Sequence, residues 1–534
     1  MKTVLILGAG VMQMPGIRIA RRKGWRVIVA DGNPGAVARD LGDRFEVVDL
    51  KDREGLLALA RGYAGGSGLD GIFTAGTDFS SSVAWVAEKL GLPGIPYAAA
   101  MRATDKCLMR AAFDAHGVPS PRYACWTVEG DPSDILSSEL EFPLVVKPVD
   151  NMGARGVRRV DDRDGLVEAC RAALPLSRSS RVIVEQFMEG PELSLDAVAH
   201  NGRVTVCGVA DRHIAFPPSF VEMGHTMPTE LDAATVRGIE EVFVAGIRAI
   251  GIDSGAAKGD IKLTPRGPMA GEIAARLSGG YMSGWTFPLA SGVEVTEAAL
   301  NIAAGLEPGD LTPKWRRTCA ERAVISIPGR VERIEGFEEA RGLAGVEEVF
   351  LRVAPGEEVV FPANNVQKCG NVIAVGDVRS EAAEAARRAI SLLRIRLSPL
   401  VKSTAQHLAR GPGNDAFATI GAGIREKIGS MPRFRGAPSA ALGSGEPVLI
   451  EPLEGWEDAT HADWYGIAFH DAVHLALRAG GGRMGGHPGQ SRFMLSGLFW
   501  RAMVRGTTQG GIWVLDSLRE AARRGATGEL LAGP

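Results

Sequence analysis

The chain has 534 residues, a formal net charge of −3, 45% hydrophobic and 23% charged residues, and six cysteines. That length exceeds what one hydrophobic core supports, so three or four domains are expected, with the composition of a soluble globular enzyme. The near-neutral charge excludes a general attraction to nucleic acid or anionic membrane, and no run approaches the ~20 apolar residues that span a bilayer.

Cys107, Cys125, Cys170, Cys207, Cys319 and Cys369 are scattered, with no CxxC pair. They suit a reducing cytoplasm better than a disulfide framework or a zinc site. The opening MKTVLILGAG carries too short an apolar run for a signal peptide and leads straight into a strand. Thr3 to Leu7 is that strand; it ends in Gly8-Ala9-Gly10, and a helical pattern follows before a second strand from Arg26 that ends at Asp31. A dinucleotide-binding fold opens in this way, with Asp31 as a ribose-binding acid. Gln13 stands where the third glycine of GxGxxG belongs, which favours a structural Rossmann-like domain over one that binds a nicotinamide cofactor. Gly71 to Ala75 and Ser80 to Leu90 continue the strand and helix alternation to about residue 100.

Thr104-Asp105-Lys106 opens a helix that Thr104 is placed to cap. A lysine in the first turn opposes the helix dipole, so Lys106 reads either as a group facing an anion or as a surface lysine. Phe142 to Pro148 is an apolar strand with Lys147 near its end. Such a lysine is costly without a partner, and phosphate is a fitting one. The loop behind it carries Gly153 and Gly156, whose backbone NH groups can approach phosphates, without the spacing of a Walker A loop. Val182 to Val184 then runs into Glu185-Gln186-Phe187-Met188-Glu189-Gly190-Pro191-Glu192. An extended hinge here offers backbone groups to an adenine edge beside Phe187 and Met188, with Glu192 for ribose hydroxyls; surface turns also contain such runs.

Gly255 to Gly280 reads as a hairpin turned at Pro265, Gly267 and Pro268. That brings Asp260 and Glu272 to one end of the sheet, facing the same space. Paired acids share a cation, and Mg²⁺ keeps phosphate oxygens and waters as its remaining ligands. Arg276, with its planar fork of donors, reaches a phosphate oxygen from there. The alternative is a solvated hairpin edge.

Four stretches in this order resemble the ATP-grasp superfamily of carboxylate-amine ligases: TDK at Thr104 to Lys106, VVKP with its glycine loop at Val145 to Gly156, VEQFMEGPE at Val184 to Glu192, and the hairpin ending in EIAAR at Glu272 to Arg276. The resemblance covers residues 1 to 400 and implies an α/β multidomain fold. A Rossmann-like domain over 1–100 would precede an ATP-grasp domain over 101–310, with a lid subdomain at about 120–195. A small α+β capping domain over 311–400 and an extra region over 401–534, linker then mainly helical, would follow. It further implies that Lys106 and Lys147 bind ATP phosphates under the Gly153/Gly156 loop. Glu185, Phe187 and Met188 would line the adenine hinge, Glu192 would hold the ribose, and Asp260 and Glu272 would ligate Mg²⁺ or Mn²⁺. Arg276 and Lys147 would act on the transferred phosphoryl group.

Pro217 to Pro228, PPSFVEMGHTMP, and Arg276 to Gly280, RLSGG, resemble the L-amino-acid ligase group within that superfamily. This makes Glu222, His225 and Arg276 candidate substrate contacts, with a purely structural role open for His225. Three positions depart from the pattern, one of them Asp260, which replaces the commoner glutamate. Ala274 stands where the superfamily often has a metal-ligating asparagine, and Lys258 where the group commonly has histidine. The implied activity is ATP-dependent joining of a small carboxylate to an amine through an acyl phosphate, releasing ADP and phosphate, in a cytoplasmic protein without nucleic-acid or membrane partners, for which a homodimer is the general expectation. The alternatives are a non-catalytic nucleotide-binding scaffold with a partner-binding C-terminal region, and a NAD-dependent oxidoreductase.

Residues 408–448 are rich in Gly, Pro, Ser and Ala and read as a linker or irregular covering segment. Helices are expected from Trp464 to Leu477, Met494 to Val504 and Ile512 to Ala522. His470 and His474 share a helix face at a spacing that suits a metal, without a visible third ligand. Gly480 to Gly489 reads as a flexible turn or an anion site.

Overall fold

A computed structural model describes residues 1–65, 68–137, 140–409, 415–431, 447–485 and 490–524. The chain forms two compact units, Met1–Glu321 with Val375–Ala382, and Arg322–Ala374 with Ala383–Pro534.

The first unit opens with parallel strands β1 (Thr3–Leu7), β2 (Arg26–Asp31), β3 (Arg44–Val47) and β4 (Gly71–Phe73), in the order β3-β2-β1-β4. β1, β2 and β4 are near-continuous apolar runs and buried, as parallel strands covered by helices require, whereas the edge strand β3 is largely exposed. The Gln13 amide donates to the Ala75 carbonyl at 2.6 Å, and its Cδ lies 3.0 Å from where a Cβ on Gly8 would stand. Asp31 is engaged with backbone, accepting from the Ala9 NH at 2.7 Å and the Asn33 NH at 2.8 Å. The glutamine fills the space over the glycine-rich turn and the acid ties that turn down, so the nicotinamide alternative loses both of its supports.

A second sheet is antiparallel, with β5 (Tyr123–Thr127), β6 (Leu144–Pro148), β7 (Arg158–Val160) and β8 (Arg181–Gln186) in the order β5-β8-β6-β7. The helix Arg163–Ala173 buries Leu166, Ala169, Cys170 and Ala173 in one core with it. A third sheet carries β9 (Glu192–His200), β10 (Arg203–Ala215), β11 (Val221–Met227), β12 (Gly255–Thr264) and β13 (Gly267–Ala274), ordered β13-β12-β9-β10-β11 and antiparallel throughout. Against its back lies the helix Ala233–Ile250, whose buried Ile239, Phe243, Ile247 and Ile250 recur at helical spacing. Gly259 permits the close approach, since a Cβ there would stand 2.5 Å from the Phe243 ring. With Gly259 and Ile261 turned to that core, Lys258, Asp260 and Lys262 point to the opposite face.

Two expectations are corrected. Thr104 closes the helix Tyr97–Thr104, its hydroxyl donating to the Ala100 carbonyl at 2.8 Å. Asp105 caps the helix Lys106–Ala115 instead, accepting from the NH groups of Cys107 and Leu108 at 2.9 and 3.0 Å. An ionised carboxylate also complements the helix dipole, which a hydroxyl cannot. The cysteines are not all single thiols either: Cys107 and Cys125 form a disulfide, with Cα atoms 6.3 Å apart. The pair joins that helix to β5, a proximity created by docking and invisible in the spacing.

In the second unit, Gly329–Glu335 pairs with Glu358–Val359 on one edge and Arg394–Leu397 on the other, while Val346–Leu351 pairs with Gly370–Gly376. The C-terminal region belongs to the same body. The long helix Gln490–Arg524 breaks at Gly506 and Thr507, where Thr507 has φ 47°, so the two helices expected there are its two arms. Gln509 accepts from the Ile327 NH at 3.0 Å and donates to Ser326 Oγ at 2.8 Å and the Ile395 carbonyl at 2.9 Å. Trp513 donates to the Ser398 carbonyl at 3.0 Å, and Arg396 to Asp516 at 3.1 Å.

The helix expected from Trp464 starts at Phe469. Asp463 orders a turn before it, accepting from the Tyr465 and Ile467 NH groups at 2.8 and 2.9 Å. Within the expected linker, a helix runs over Ala422–Ser430, anchored by an Arg425–Asp415 ion pair of 3.0 Å. Residues 410–414 and 432–446 lie outside the described residues, as do 486–489 of the glycine-rich turn. His470 turns toward the Ala459 carbonyl at 3.4 Å and His474 packs on Trp456, their ring centroids 5.2 Å apart.

Candidate active site

The hairpin β12–β13 has the expected register. Asp260 lies directly opposite Glu272, and Lys258 opposite Ala274. As direct cross-strand partners both acids share a face, and the register then shifts between Asp260 and Ile261, a bulge that leaves Gly271 unpaired. Lys106, at the first position of its helix, is buried rather than solvated. Its Nζ donates to the Asn151 carbonyl at 2.9 Å and lies 4.0 Å from Glu272. Burial alone would raise the Glu272 carboxyl; Lys106 and Lys258 outweigh it and hold Glu272 below the ordinary carboxylate range.

Lys147 emerges from β6 and bonds to Glu185 Oε2 at 2.5 Å. Glu185 does not face the adenine hinge with its side chain. Its carboxylate is 2% exposed and lies between Lys147 and Arg110, whose Nε donates at 2.9 Å. Burial would raise this acid, but the two cations bring it down to about 2. Glu185 therefore reaches the site through Lys147. The hinge beyond it carries Phe187, with the Arg159 guanidinium 4.7 Å from its ring centroid and Phe220 at 6.3 Å, and Met188 beside Gly271.

Arg212 on β10 gathers the remaining acids. It pairs with Glu192, with Glu222 at 3.0 Å and with Asp260 at 3.0 Å. Desolvation would lower its pKa, and the three carboxylates raise it well above the ordinary arginine value. Asp260 also accepts from Ser194 at 2.7 Å and from Lys258. Burial favours its neutral form; Arg212 and Lys258 overcome that and keep it ionised. Glu192 lies 3.5 Å from Lys262 besides its bond to Arg212.

His225 sits between two acids, with Nδ1 3.0 Å from Glu321 and Nε2 3.6 Å from Glu222. Ligand-type atoms of these three residues all fall within 4.8 Å of one another. The RLSGG loop passes directly over them: a Cβ on Gly280, which has φ 63°, would stand 2.9 Å from Glu222 Oε1 and 3.2 Å from His225 Cε1. One step back in that loop, Ser278 donates to Asp196 Oδ1 through its NH at 2.9 Å and its hydroxyl at 2.8 Å. Asp196 is fully buried with Oδ2 unpartnered, and desolvation lifts its carboxyl to about 6 against the pull of Ser278, Lys258 and Arg276. Arg276 bonds the Leu277 carbonyl at 2.8 Å and leaves a buried Nε without a partner.

Gly153 and Gly156 take left-handed φ values of 68° and 73° in the loop after β6, and Arg155 between them pairs with Asp78 at 2.6 Å.

Sequence reasoning missed Arg110, Arg212, Ser194, Asp196 and Glu321. Arg110 had a usable signal, four residues from Lys106 on the same helix face. Asp196 had another, an acid inside the apolar run Leu193 to Val198. The residues fit a metal-bound nucleotide: two acids in direct register, and two lysines whose charges both act on Glu272.

Comparisons with known proteins bear on the domains that carry these residues. Residues 140–284 match the model of the ATP-grasp domain, and residues 323–398 that of the L-amino acid ligase C-terminal domain 2. The uncharacterized protein y4rH of Sinorhizobium fredii is 27% identical over 390 residues, covering 72% of this chain and 80% of that one. Human carnosine synthase 1 is 29% identical over 408 residues, 71% of this chain but 49% of its own, so the chain spans about half of that relative. The crystal structure of L-amino acid ligase from Bacillus licheniformis, 24% identical, shares the fold with a TM-score of 0.65 over 74% of this chain and 99% of that one. The chain thus contains an ATP-grasp domain over residues 140–284, followed over residues 323–398 by a match to the second C-terminal domain of L-amino acid ligases.

Proposed function

We propose that the chain is an ATP-dependent carboxylate-amine ligase. It activates a small carboxylate as an acyl phosphate and joins it to an amine, releasing ADP and phosphate. The observation that carries this reading is the convergence of Lys106, Lys147, Asp260 and Glu272 on one space, in a chain similar to a carnosine synthase and an L-amino acid ligase.

A carboxylate is a poor electrophile and phosphate a good leaving group, so the protein's work is positioning and charge neutralisation. Mg²⁺ held by Asp260 and Glu272 offsets the negative charge of the phosphates when bound. Lys147 presents its ammonium to a phosphate from a position set by Glu185, and Lys106 does so from the first turn of its helix. The loop at Gly153 and Gly156 covers the nucleotide and limits water, with Arg155 tied to Asp78. Phe187 and Met188 flank the base, and Glu192 takes a ribose hydroxyl. Arg276 directs its unpartnered Nε at the transferred phosphoryl group. Glu222 and His225 contact the substrate under the RLSGG loop, and their acidic surroundings favour the ammonium of an amino acid.

An ADP-release screen of amino acids, singly and in pairs, tests the reading. Glu272→Ala should abolish carboxylate-dependent release, and undiminished turnover would refute the metal assignment. A scaffold without turnover would show nucleotide binding with no ADP formed from any pair.

A further inference from the structure

Lys258 and Ala274 are direct partners across the hairpin, two residues along from the Asp260–Glu272 pair. Residues so placed point to the same face of the sheet. Ala274 is 6% exposed and aliphatic, and offers no ligand atom to a cation. Lys258 uses the space this leaves. Its Nζ bonds to Asp260 Oδ2, directly across the hairpin register from Glu272. On its other side, Lys258 is the register partner of Asp196 on β9, where it favours the carboxylate form. One ammonium, with 13% of its side chain exposed, therefore bonds to Asp260 in a register that also holds Glu272 and Asp196.

Asp260 has few lone pairs left. Ser194 donates to Oδ1 at 2.7 Å, while Lys258 and Arg212 share Oδ2, the latter at 3.0 Å. Glu272 has its nearest ammonium 4.0 Å away, at Lys106, and keeps room for an ion. A divalent cation brought beside Lys258 is repelled twice as strongly as a monovalent one at the same distance. The geometry disfavours two adjacent divalent ions and replaces one of them with a fixed ammonium.

We propose that the site takes a single divalent cation, held by Glu272 with Asp260, and that Lys258 supplies the second positive charge in the place beside Ala274. This rests on the reading of the hairpin as a metal-nucleotide site. Lys258 neutralises phosphate charge without water exchange or a coordination shell, so the requirement for free metal is that of one ion.

Equilibrium dialysis with Mn²⁺ and the β,γ-imido analogue of ATP counts ions per bound nucleotide. The unmodified chain should retain one. The double variant Lys258→Ala/Ala274→Asn, which removes the ammonium and adds a ligand oxygen, should retain two. Two ions in the unmodified chain, or one in a double variant that still binds the analogue, would overturn the proposal and leave the metal-nucleotide site standing. If the unmodified chain bound neither analogue nor Mn²⁺, the reading beneath it would fall as well. Lys258→Met, close in shape and uncharged, should weaken the analogue tenfold or more with one ion still bound, and unchanged affinity would also overturn the proposal.

Discussion

Arg110 Nε stands 2.9 Å from Glu185 Oε1, and the other oxygen of that carboxylate belongs to Lys147. One buried acid thereby couples the helix that carries Lys106 to the strand that carries Lys147. Removing one partner of a buried ion pair costs about 3–5 kcal/mol, because the remaining charge keeps its desolvation penalty. Arg110→Met should lower the melting temperature and raise the KM for ATP at least tenfold. Glu185 is depressed from 4.5 to about 2 in the folded chain, so its contribution is present above pH 4.5 and lost as the pH falls toward 2. Thermal melts should show a constant gap between the two proteins from pH 8 to 5 that narrows below that.

Asp196 has the opposite sign. Its carboxyl is raised from 3.8 to about 6, so the fold keeps a proton that the unfolded chain releases. Stability is fully present below pH 3.8 and is lost as the pH climbs through 6, by about 3 kcal/mol at 1.36 kcal/mol per unit. Asp196→Asn keeps an acceptor for Ser278 and removes the ionisation. Denaturant titrations should show little change at pH 4 and a more stable variant at pH 8; equal stability of the two proteins at pH 8 would contradict this.

Arg212 holds Glu192, Glu222 and Asp260 in one cluster. With Arg212→Met, three acids are left to repel one another at the positions proposed above for the ribose, the metal and the substrate. A loss in kcat/KM of a hundredfold or more, equivalent to about 3 kcal/mol, is expected in the ADP-release assay. A variant within threefold of the parent would show that the cluster does not serve turnover.

The disulfide makes a chemical prediction. Unfolded without reductant, the chain should titrate the four thiols of Cys170, Cys207, Cys319 and Cys369, and Cys107 and Cys125 should join them only after reduction. Closing a loop with a sequence separation of 18 stabilises by about 3 kcal/mol in the chain-entropy account. Reduction should therefore lower the melting temperature by several degrees.

Gln509 makes three hydrogen bonds to residues 326, 327 and 395. Gln509→Leu leaves the Ile327 NH and the Ile395 carbonyl without their partner, at about 1–3 kcal/mol for each buried group. Hydrogen exchange should speed up at Ile327 and its neighbours, while residues 1–321 keep their protection.

The hairpin was legible because Pro265, Gly267 and Pro268 fix a turn and the register follows from it. Lys106 and Lys147 could be found because a charge in an apolar or dipole-opposed setting asks for a partner. Arg212 offered no such mark. Its strand alternates polar and apolar side chains, as a half-solvated strand does, and only the packing of Glu192, Glu222 and Asp260 around it shows otherwise. Glu185 was found, but not the direction of its carboxylate, which depends on Arg110 arriving from another element. The linker expected over residues 408–448 was an inference from composition, and composition does not report that Gln509 and Trp513 reach back to residues 326–398.

That reach sets an order of events during synthesis. Residues 322–374 leave the ribosome well before Gln509 and Trp513, and at about 5–20 residues per second the gap lasts many seconds. Over that interval the Ile327 NH and the apolar surface around it await a partner still being translated. The nascent chain should engage chaperones until the last helix emerges, whereas residues 1–321 can already be folded.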